Sequence, residues 1–494
     1  MYSIVCSEII DQGEKRDVSM HSPILISFPD LLPPEDFFAR IRFYSESGSI
    51  PLAFYRDNSM HLVCIMTDYI HLEALACDCS GLFTYPSLAI DYPAFSVFER
   101  EVYEESGILP AGHPWLKPMR QAGLRSNAPN QYPFMEFQSS SMHEVGVGPV
   151  HAGVIEPGHF RFLCIGEEVK HLEICLGYQH RGVAKLFRSG DIREKIYLAE
   201  SIAGDTTIGH ALAYAMAVEA ICQSNPSSIP ERMIALELER IAMHLADLSA
   251  LSGDIAYIMG QNIFAALRTT VINTSLSICG SRFGKRWICP GGVNYPLTAD
   301  KAKEVCKTLA GVWKQTHLMV EGMLGTAGVL SRFDDTGKVS KEDCLAFGFT
   351  GTTAKATGLA VDVRLSFPMM PIEDFYPITH DSGDVYARFW VRCQEIAQSI
   401  SMIEQLSARL DEAKLMPMGD ITSDSIAISL VEGWRGRIVH ICQSASAGII
   451  DSYRIIDPSL HNWFALALCM RGEGISDFPL CNKSFDLSYC GSDL

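Results

Sequence analysis

The sequence predicts an α+β fold in which an N-terminal α/β part precedes a larger, mainly α-helical part with a small β-sheet at its start. The first observation is a pair of β-rich stretches, residues 21–28 and 60–78, bounded by turn-forming residues. The second is a further pair of short β-rich stretches, residues 160–169 and 171–180, which predict the small sheet. The third is the helical spacing of apolar residues over 231–250, which predicts a long amphipathic helix.

A polar, turn-rich stretch separates the two parts. It covers residues 125–149 and contains three consecutive serines at 139–141. Such a composition is typical of a linker. Just before it, residues 98–120 pass from an acidic, helix-like segment into a loop rich in glycine and proline. We therefore predict two domains, residues 1–140 and 141–494.

The charge of the chain limits the kinds of partner it can have. The formal net charge of the 494 residues is −18 at pH 7, so a nucleic-acid-binding surface, which needs a basic stripe, is not expected. No stretch reaches the ~18 apolar residues of a membrane-spanning helix. The N-terminus lacks the basic and apolar regions of a signal peptide. We expect a cytoplasmic chain without direct membrane insertion, which reaches a membrane only through partner subunits.

The sixteen cysteines form no metal-binding pattern. No two of them have CxxC spacing, and the nearest approach is the pair Cys77 and Cys79. Zinc and iron–sulfur sites use closely paired cysteines. We therefore expect no metal in this chain and predict that most of the thiols are small buried hydrophobes.

The predicted helix over 231–250 carries a second, polar stripe at helical spacing. Its members are Glu237, Arg240, His244 and Asp247. Two interpretations remain open. The stripe is a solvated face, as on most amphipathic helices, or it is a buried polar seam along a cavity.

Histidines and arginines are concentrated beside glycines and prolines in a few stretches. These are GPVHAGVIEPGHFRF (148–162), GYQHRGVAKLF (177–187), GSRFGKRWICPGGV (280–293) and VEGWRGRIVH (431–440). With these motifs, residues 148–494 resemble the catalytic large subunit of energy-converting, membrane-bound nickel–iron hydrogenases of the formate hydrogenlyase type. They equally resemble the related 49-kDa-type subunit of complex I. Residues 98–120 resemble the signature of the 30-kDa-type subunit, so the chain is similar to a fusion of the two modules.

The resemblance implies a subunit of a membrane-associated hydrogenase-like or NADH-quinone-oxidoreductase-like complex. Such a subunit takes part in electron transfer coupled to proton or ion translocation. The implied partners are a small subunit with a 4Fe–4S cluster and membrane subunits of the antiporter-like and quinone-chamber-like types. The implied location is peripheral, on the cytoplasmic side of the cell (inner) membrane. Whether a formate- or NADH-oxidising module attaches stays open, because no GxGxxG fingerprint opens a helix here.

The resemblance also identifies what this chain lacks. In the hydrogenases, nickel is held by four cysteines in two CxxC pairs. The aligned positions here are Ala203, Thr206, Ser488 and Gly491. Alanine and glycine offer no donor atom, and hydroxyl groups are poor nickel ligands. Cys490 lies out of register between the last two positions. We therefore expect neither nickel nor hydrogen turnover in this chain, although the whole complex is of the oxidoreductase class.

The complex I resemblance implies a different site. The quinone-binding histidine of that family has two candidates here, His151 and His159, and its aspartate partner aligns with Asp254. A carboxylate beside an imidazole raises the imidazole pKa and orients the ring for proton transfer. The alternative is a buried His–Asp bond that only fixes a turn.

Arg435 aligns with the arginine that lies above the metal in hydrogenases. Without a metal, its charge needs Glu432, Asp486 or an anionic ligand as a partner. We predict that Arg435 lines a metal-free cavity together with His151, His159 and Asp254, and that this cavity binds a quinone or another organic acceptor. The alternative is a catalytically inert scaffold that couples conformational changes in the same kind of complex.

Three further family positions are altered. The quinone-headgroup tyrosine of complex I is replaced by Gly204, and Tyr214, ten residues later, is expected to pack within its own helix. Glu156 lies near the position of the proton-gate glutamate of hydrogenases, one residue out of register. Ala184 replaces a buried acid.

Overall fold

The structure is a computed structural model of the chain, and it describes residues 21–120, 132–136, 141–151 and 155–494. Its mixture of helices and strands confirms the predicted mixed fold class. The predicted boundary near residue 140 and most of the predicted linker lie outside the described residues, so the division into two domains stays a prediction. Within the described ranges, every helix is too short or too polar to cross a bilayer.

Strands occur from one end of the described chain to the other. In order they are β1 (Ile24–Ser27), β2 (Leu31–Leu32), β3 (Ile50–Arg56), β4 (His61–Thr67), β5 (Leu72–Asp78), β6 (Thr84–Pro86), β7 (Leu109–Ala111), β8 (His143–Val147), β9 (His159–Ile165), β10 (Glu168–Cys175), β11 (Ile288–Cys289), β12 (Gly292–Val293), β13 (Ser425–Gly433), β14 (Gly436–Ser444) and β15 (Ile450–Ile456). The β-rich stretches identified in the sequence correspond to β1, β4, β5, β9 and β10, as predicted.

The α-helices dominate the second part of the chain. In order they are α1 (Pro34–Glu46), α2 (Ser96–Ser106), α3 (Val183–Phe187), α4 (Ile196–Ala199), α5 (Thr207–Ile221), α6 (Ile229–Asp254), α7 (Ile258–Cys279), α8 (Ala299–Leu324), α9 (Ala327–Phe333), α10 (Lys341–Phe347), α11 (Thr352–Lys355), α12 (Val363–Ser366), α13 (Val385–Ser407), α14 (Pro458–Cys469), α15 (Phe478–Phe485) and α16 (Tyr489–Asp493). The helix predicted over 231–250 is the central part of α6.

The N-terminal part is built on a four-stranded sheet of order β2-β5-β4-β3. The pair β2–β5 is parallel and the other pairs are antiparallel. Helices α1 and α2 pack on this sheet through buried residues that include Phe37, Ile41 and Phe98. α2 ends at Gly107, whose φ of 76° is left-handed, and the predicted irregular loop follows.

A second four-stranded sheet, of order β1-β13-β14-β15, joins the first described strand to strands from the last part of the chain. β1 pairs antiparallel with β13, so residues 24–27 extend a sheet built from residues after 424. β13 and β14 are buried along their whole length, and the tight turn between them holds Trp434 and Arg435. This turn therefore presents Arg435 from a rigid element.

The helical core is centred on α6, which packs against α7 and α13. The apolar stripe of α6 is fully buried, as predicted; its members are Ile234, Leu238, Ile241, Leu245 and Leu248. α5 lies between this core and the strands β13 and β14. The loop that precedes α5 is thereby placed beside the β13–β14 turn.

Candidate functional site

The loop before α5 (residues 200–206) and the C-terminal tail (residues 486–494) lie next to each other, and two arginines join them. Arg181 donates to the main-chain oxygens of Ile202 in the loop (2.9 Å) and of Cys490 in the tail (3.5 Å). Arg435 donates to the main-chain oxygen of Asp486 in the tail and, on its other side, to the loop. The two segments that the resemblance aligns with the CxxC pairs of hydrogenases are therefore together in this fold.

Arg435 is buried and fully paired. Its two terminal nitrogens donate to the two carboxylate oxygens of Asp205, each at 2.6 Å, and one of them also donates to Thr206 Oγ1 at 3.1 Å. The guanidinium carbon lies 3.9 Å from the ring centroid of Trp434. Burial opposes the charge, but the carboxylate of Asp205 outweighs it and raises the pKa of Arg435.

The two carboxylates that were expected to form an ion pair with Arg435 bind other residues. Glu432 accepts a hydrogen bond from Lys355 Nζ at 3.2 Å, so its role as the partner of Arg435 is corrected. Asp486 contributes its main-chain oxygen and a favourable charge, while its side chain binds Lys483 Nζ at 2.7 Å. The carboxylate that pairs with Arg435 is that of Asp205, immediately before Thr206.

At the first pair of ligand positions, small side chains are held by neighbouring groups. Ala203 is buried, and its main-chain oxygen accepts from the nitrogen of Thr206 at 3.1 Å. The hydroxyl oxygen of Thr206 accepts from Trp434 Nε1 at 3.2 Å in addition to Arg435. Both positions are therefore occupied by packed or hydrogen-bonded groups of the protein itself.

At the second pair, the tail forms a short capped helix. Ser488 Oγ accepts from the nitrogen of Gly491 at 2.9 Å and caps α16. A Cβ on Gly491 would lie 2.7 Å from Asp457 Oδ2 and 2.8 Å from Asp457 Cγ. The carboxylate of Asp457 therefore occupies the space that a side chain at position 491 would need.

Glu156 and Cys490 meet at the start of α16. Glu156 Oε2 accepts from the main-chain nitrogens of Tyr489 (3.2 Å) and Cys490 (3.4 Å). Burial, reinforced by Glu156, raises the pKa of Cys490 to about 12. The thiol is protonated at neutral pH and is not a thiolate ligand.

His151 and His159 flank the turn that leads into β9, and both bind main-chain oxygens. His151 Nε2 lies 2.8 Å from the oxygen of Gly158, and His159 Nδ1 lies 3.1 Å from the oxygen of Gly148. His159 Nε2 is buried without a hydrogen-bond partner among the described residues. Burial lowers the pKa of His159, so its ring is neutral and Nε2 is an open acceptor.

Asp254 is the last residue of α6. In the described part of the chain, neither His151 nor His159 is hydrogen-bonded to Asp254, so the His–Asp pair is not formed in this structure. Desolvation raises the pKa of Asp254, and the charge of Lys483 opposes that shift. The functional role of the three residues stays a prediction.

The candidate residues nevertheless surround one element, the tail. A Cβ on Gly158, next to His159, would lie 2.6 Å from the ring of Tyr489, so the histidine turn packs directly on α16. Arg435 holds the tail through Asp486. The charges of Lys483 and Asp486, at the same segment, shift the pKa of Asp254.

Tyr214 packs within the core, as predicted. It is buried, its hydroxyl accepts from the nitrogen of Lys195 at 2.9 Å, and it donates to the oxygen of Ile192. The hydroxyl is fully used in these bonds. Tyr214 is therefore a structural residue in this conformation.

The polar stripe of α6 is the buried seam, not the solvated face. Its four residues are each at most 1% exposed: Glu237, Arg240, His244 and Asp247. Their partners come mainly from α13, where Glu395 binds His244 Nε2 at 2.7 Å and Arg392 contacts Asp247 at 2.7 Å. The seam is a chain of ionised and hydrogen-bonded groups inside the helical core.

Lys355 lies at the centre of the seam. Its ammonium nitrogen contacts carboxylate oxygens of Asp362 (2.6 Å), Glu395 (2.8 Å) and Glu432 (3.2 Å). Arg364 adds a second cation, 2.8 Å from Asp362. These carboxylates raise the pKa of Lys355 in spite of its burial.

The seam reaches the tail through a pair of carboxyl groups. Asp247 and Asp486 interact electrostatically, and each shifts the pKa of the other. Burial raises the pKa of Asp247 well above its ordinary range. Interaction with Asp247, together with the charges of Lys483 and Arg435, lowers the pKa of Asp486 in spite of burial. Asp247 is therefore protonated and Asp486 is ionised.

Known proteins similar to this chain include hydrogenase and NADH dehydrogenase subunits. Residues 254–426 match the family model of the respiratory-chain NADH dehydrogenase 49 Kd subunit. The chain is 29% identical over 357 residues to the carbon monoxide-induced hydrogenase of Rhodospirillum rubrum, and the match covers 70% of this chain and 98% of that protein. The resemblance is confirmed.

Relatives of both kinds extend over most of the chain. Formate hydrogenlyase subunit 5 of Escherichia coli is 27% identical, with 83% of this chain and 77% of that protein covered. An NADH-quinone oxidoreductase protein of Phocaeicola vulgatus is 28% identical, with 71% of this chain and 75% of that protein covered. A chain of the archaeal membrane-bound sulfane sulfur reductase complex shares the fold, with a TM-score of 0.67 and 23% identity over 73% of this chain.

The residues at the family's metal position do not fit nickel. No thiolate stands at any of the four aligned positions, and the space beside Gly491 holds the carboxylate of Asp457. Arg435 is neutralised by Asp205 rather than left for a ligand. Motif comparison missed Asp205 and Asp457, since each reaches this site only through a tertiary contact. The one signal available was that Asp205 adjoins a ligand position.

Proposed function

We propose that this chain is a subunit of a membrane-associated, hydrogenase-like or complex I-like complex and that it takes part in electron transfer coupled to proton or ion translocation without a metal of its own. The names of the relatives support the type of complex. The observation that carries the metal-free part is the contact of Asp457 with Gly491, together with the Asp205–Arg435 pair. Charged groups of the chain fill the positions where the family's ligands converge.

Proton chemistry is what this arrangement can perform. The Asp247–Asp486 pair holds one proton beside the tail, and the seam continues from Asp247 through Arg392 toward His244. A change of charge near the tail alters the balance of buried pairs that are screened little by solvent. In this proposal the chain converts an electron-transfer event into a change of protonation in its core.

A quinone or another organic acceptor is the proposed reactant. The observation that fits the hydroxyl group of such a molecule is the buried Nε2 of His159, an acceptor without a partner among the described residues. His151, Asp254 and Arg435 complete the proposed set around the tail. His159 Nε2 would accept the hydrogen bond of that hydroxyl group and so hold its proton in place.

The proposed partners follow from the similarity of this chain to subunits of membrane-bound complexes. They are a small subunit with a 4Fe–4S cluster and membrane subunits of the antiporter-like and quinone-chamber-like types. The chain would be peripheral, on the cytoplasmic side of the cell membrane, and the two predicted modules, 1–140 and 141–494, would both belong to the peripheral arm.

The test uses the complex purified through a tag on this chain. Reduced methyl viologen serves as the electron donor, and short-chain ubiquinone and menaquinone analogues serve as acceptors. We expect quinone reduction, far less than one nickel per chain, and a loss of turnover of about tenfold or more in His159→Gln, since a lost proton-transfer group typically costs at least that. His143→Gln, at an exposed position in β8, is the control.

A second candidate function is the inert scaffold. It is favoured by the complete pairing of Arg435 and by the main-chain bonds of both histidines. If His159→Gln and Arg435→Lys complexes assemble and transfer electrons at the wild-type rate, the scaffold is the better description. One nickel per chain in anaerobically purified complex would overturn the metal-free proposal.

A further inference from the structure

A continuous line of four buried side chains runs from the tail to a residue that lines a polar cavity. Asp457 Oδ2 lies 3.0 Å from His210 Nε2, and His210 Nδ1 lies 3.1 Å from His440 Nε2. His440 Nδ1 lies 2.8 Å from the hydroxyl of Tyr453. All four residues are at most 1% exposed. Every distance is within hydrogen-bond range.

The chemistry of the groups fixes the direction of these bonds. The pKa of Asp457 is lowered in spite of burial, mainly by its bond with His210, so the carboxylate is ionised and accepts from His210 Nε2. In the neutral form of His210, Nε2 is the donor and Nδ1 accepts from His440 Nε2. Burial lowers the pKa of His440 well below its usual value, which keeps that ring neutral, and its Nδ1 accepts from the Tyr453 hydroxyl. All three bonds point the same way.

One end of the line is the tail. Asp457 begins α14, and its Oδ1 accepts from the nitrogen of Ser459 at 2.8 Å. Its other oxygen, the one that binds His210, is the atom that faces Gly491. The charge of Arg435 also acts on it. Asp457 therefore connects His210 with the segment around which the proposed site is built.

The other end is a polar cavity of about 430 Å³. Tyr453 lines it, together with charged residues that include Glu101 of α2, Lys185 of α3, Arg188 at the end of α3 and Arg454 of β15. Lys185 and Arg188 are exposed. A cavity of this size with such a lining accommodates water.

We propose that Tyr453, His440, His210 and Asp457 form a proton relay between this cavity and the tail. The inference rests on the proposed function, in which protons are consumed or released beside the tail. The Tyr453 hydroxyl proton passes to His440 Nδ1, the His440 Nε2 proton to His210 Nδ1, and the His210 Nε2 proton to Asp457. The phenolate of Tyr453 regains a proton from water in the cavity. The net result is one proton moved from the cavity to Asp457, with no electron transferred.

A line that served packing alone would not need this arrangement. Burial of two imidazoles and a carboxylate is unfavourable unless each polar atom is paired. Here both nitrogens of both rings are used, and each uses them to continue the line rather than to bind the nearest main-chain group. The alternative is that the line only positions Asp457, and the test must distinguish that role from proton transfer.

The matched substitutions are Tyr453→Phe and Tyr214→Phe. Both tyrosines are buried, both pack against Phe187, and each change removes one hydrogen-bonded hydroxyl. Only Tyr453 belongs to the line, whereas Tyr214 binds main-chain groups. In the active complex we expect Tyr453→Phe to lower quinone turnover about tenfold and to raise the solvent deuterium isotope effect, with Tyr214→Phe close to wild type.

A second measurement does not depend on turnover. In the full chain labelled with ¹⁵N-histidine, the Nε2 proton of His210 should exchange with solvent about tenfold more slowly in Tyr453→Phe than in Tyr214→Phe. Equal exchange rates in the two variants, or an unchanged isotope effect in an active Tyr453→Phe complex, would overturn the relay. A wild-type complex that fails to reduce quinone would overturn the proposed function while leaving the exchange test of the relay intact.

Discussion

Asp457 Oδ2 lies 2.7 Å from the point that a Cβ on Gly491 would occupy. The aspartate cannot move freely, since it caps α14 through Ser459 and is bound by His210. Gly491 in turn donates its nitrogen to Ser488. The only residue that fits position 491 in this conformation is therefore glycine, although its φ does not require one.

Gly491→Ala should destabilise the protein by about 1–3 kcal/mol, the usual effect of overpacking. A Gly to Ala change inside a helix would otherwise stabilise it by roughly 0.5–1 kcal/mol, so the sign of the effect reports the collision with Asp457. The measurement is denaturant unfolding of the purified chain. Gly204→Ala is the control, because a Cβ there would meet nothing within 4 Å. Equal behaviour of the two variants would contradict the close contact.

Restoring the four cysteines should not restore nickel binding. The variant carries Ala203→Cys, Thr206→Cys, Ser488→Cys and Gly491→Cys. We expect well below one nickel per chain after anaerobic incubation with a nickel salt, because Asp457 blocks the fourth thiolate and Arg435 with Asp205 fills the space near the first pair. The check is metal analysis after desalting. One nickel per chain would mean that Asp457 moves aside.

Asp205→Asn should destabilise the protein by about 1–3 kcal/mol. Breaking a fully buried pair costs roughly 3–5 kcal/mol, and Asp205 is partly exposed, which reduces the effect. Arg435 is buried and keeps the hydroxyl of Thr206 and the main-chain oxygen of Asp486. The measurement is the denaturation midpoint. Asp300→Asn, at a surface pair, should leave the denaturation midpoint unchanged. The double variant Asp205→Asn with Arg435→Met should recover most of the lost stability, and a double-mutant cycle measures that coupling.

Sequence periodicity predicted the apolar stripe of α6 but left its polar stripe open between solvent and core. The outcome depends on Glu395, Lys355 and Glu432, which come from α13, α11 and β13 and are distant in sequence. A charged stripe is buried only where such partners are assembled, and periodicity contains no information about them. The position of α6 was therefore predictable, and its buried ion pairs were not.

Motif comparison identified four positions that align with nickel ligands, but it did not predict the side chains that surround them. Arg435 was expected to bind a carboxylate close to it in the strand or the tail, whereas the fold brings Asp205 to it from the loop before α5. The histidines were expected to meet Asp254, whereas the turn that holds them is closed by its own main-chain oxygens. Both differences arise because side-chain pairing depends on turn geometry that alignment does not report.

Lys355→Met should be among the most destabilising single changes in the chain, at about 3–5 kcal/mol. It leaves the carboxylates of Asp362, Glu395 and Glu432 close together without the ammonium group that separates their charges. The measurement is again the free energy of unfolding, with soluble yield as a second indicator. Lys303→Met, on the exposed face of α8, should be neutral. A loss below about 1 kcal/mol would mean that the three carboxylates are already protonated or hydrated.

Glu239 should make the protein less stable as the pH rises from about 5 to about 8. Burial raises the pKa of Glu239 from 4.5 to about 8, even though its carboxyl oxygens accept from the nitrogens of Ile208 and Gly209 at the start of α5. Between the two pKa values the folded chain binds a proton that the unfolded chain has lost. The free energy of unfolding therefore falls with increasing pH, by at most about 1.4 kcal/mol per pH unit.

The comparison for this prediction is Glu239→Gln, which cannot titrate. Subtracting the unfolding free energy of Glu239→Gln from that of the wild type removes the contribution of all other titrating groups. The difference should decline across this range and become level above about pH 8, where Glu239 is ionised in both states. Because glutamine loses one of the two acceptor contacts with α5, the variant has a constant offset, but only the slope is diagnostic. Parallel stability curves for the two proteins would place the proton elsewhere in the core.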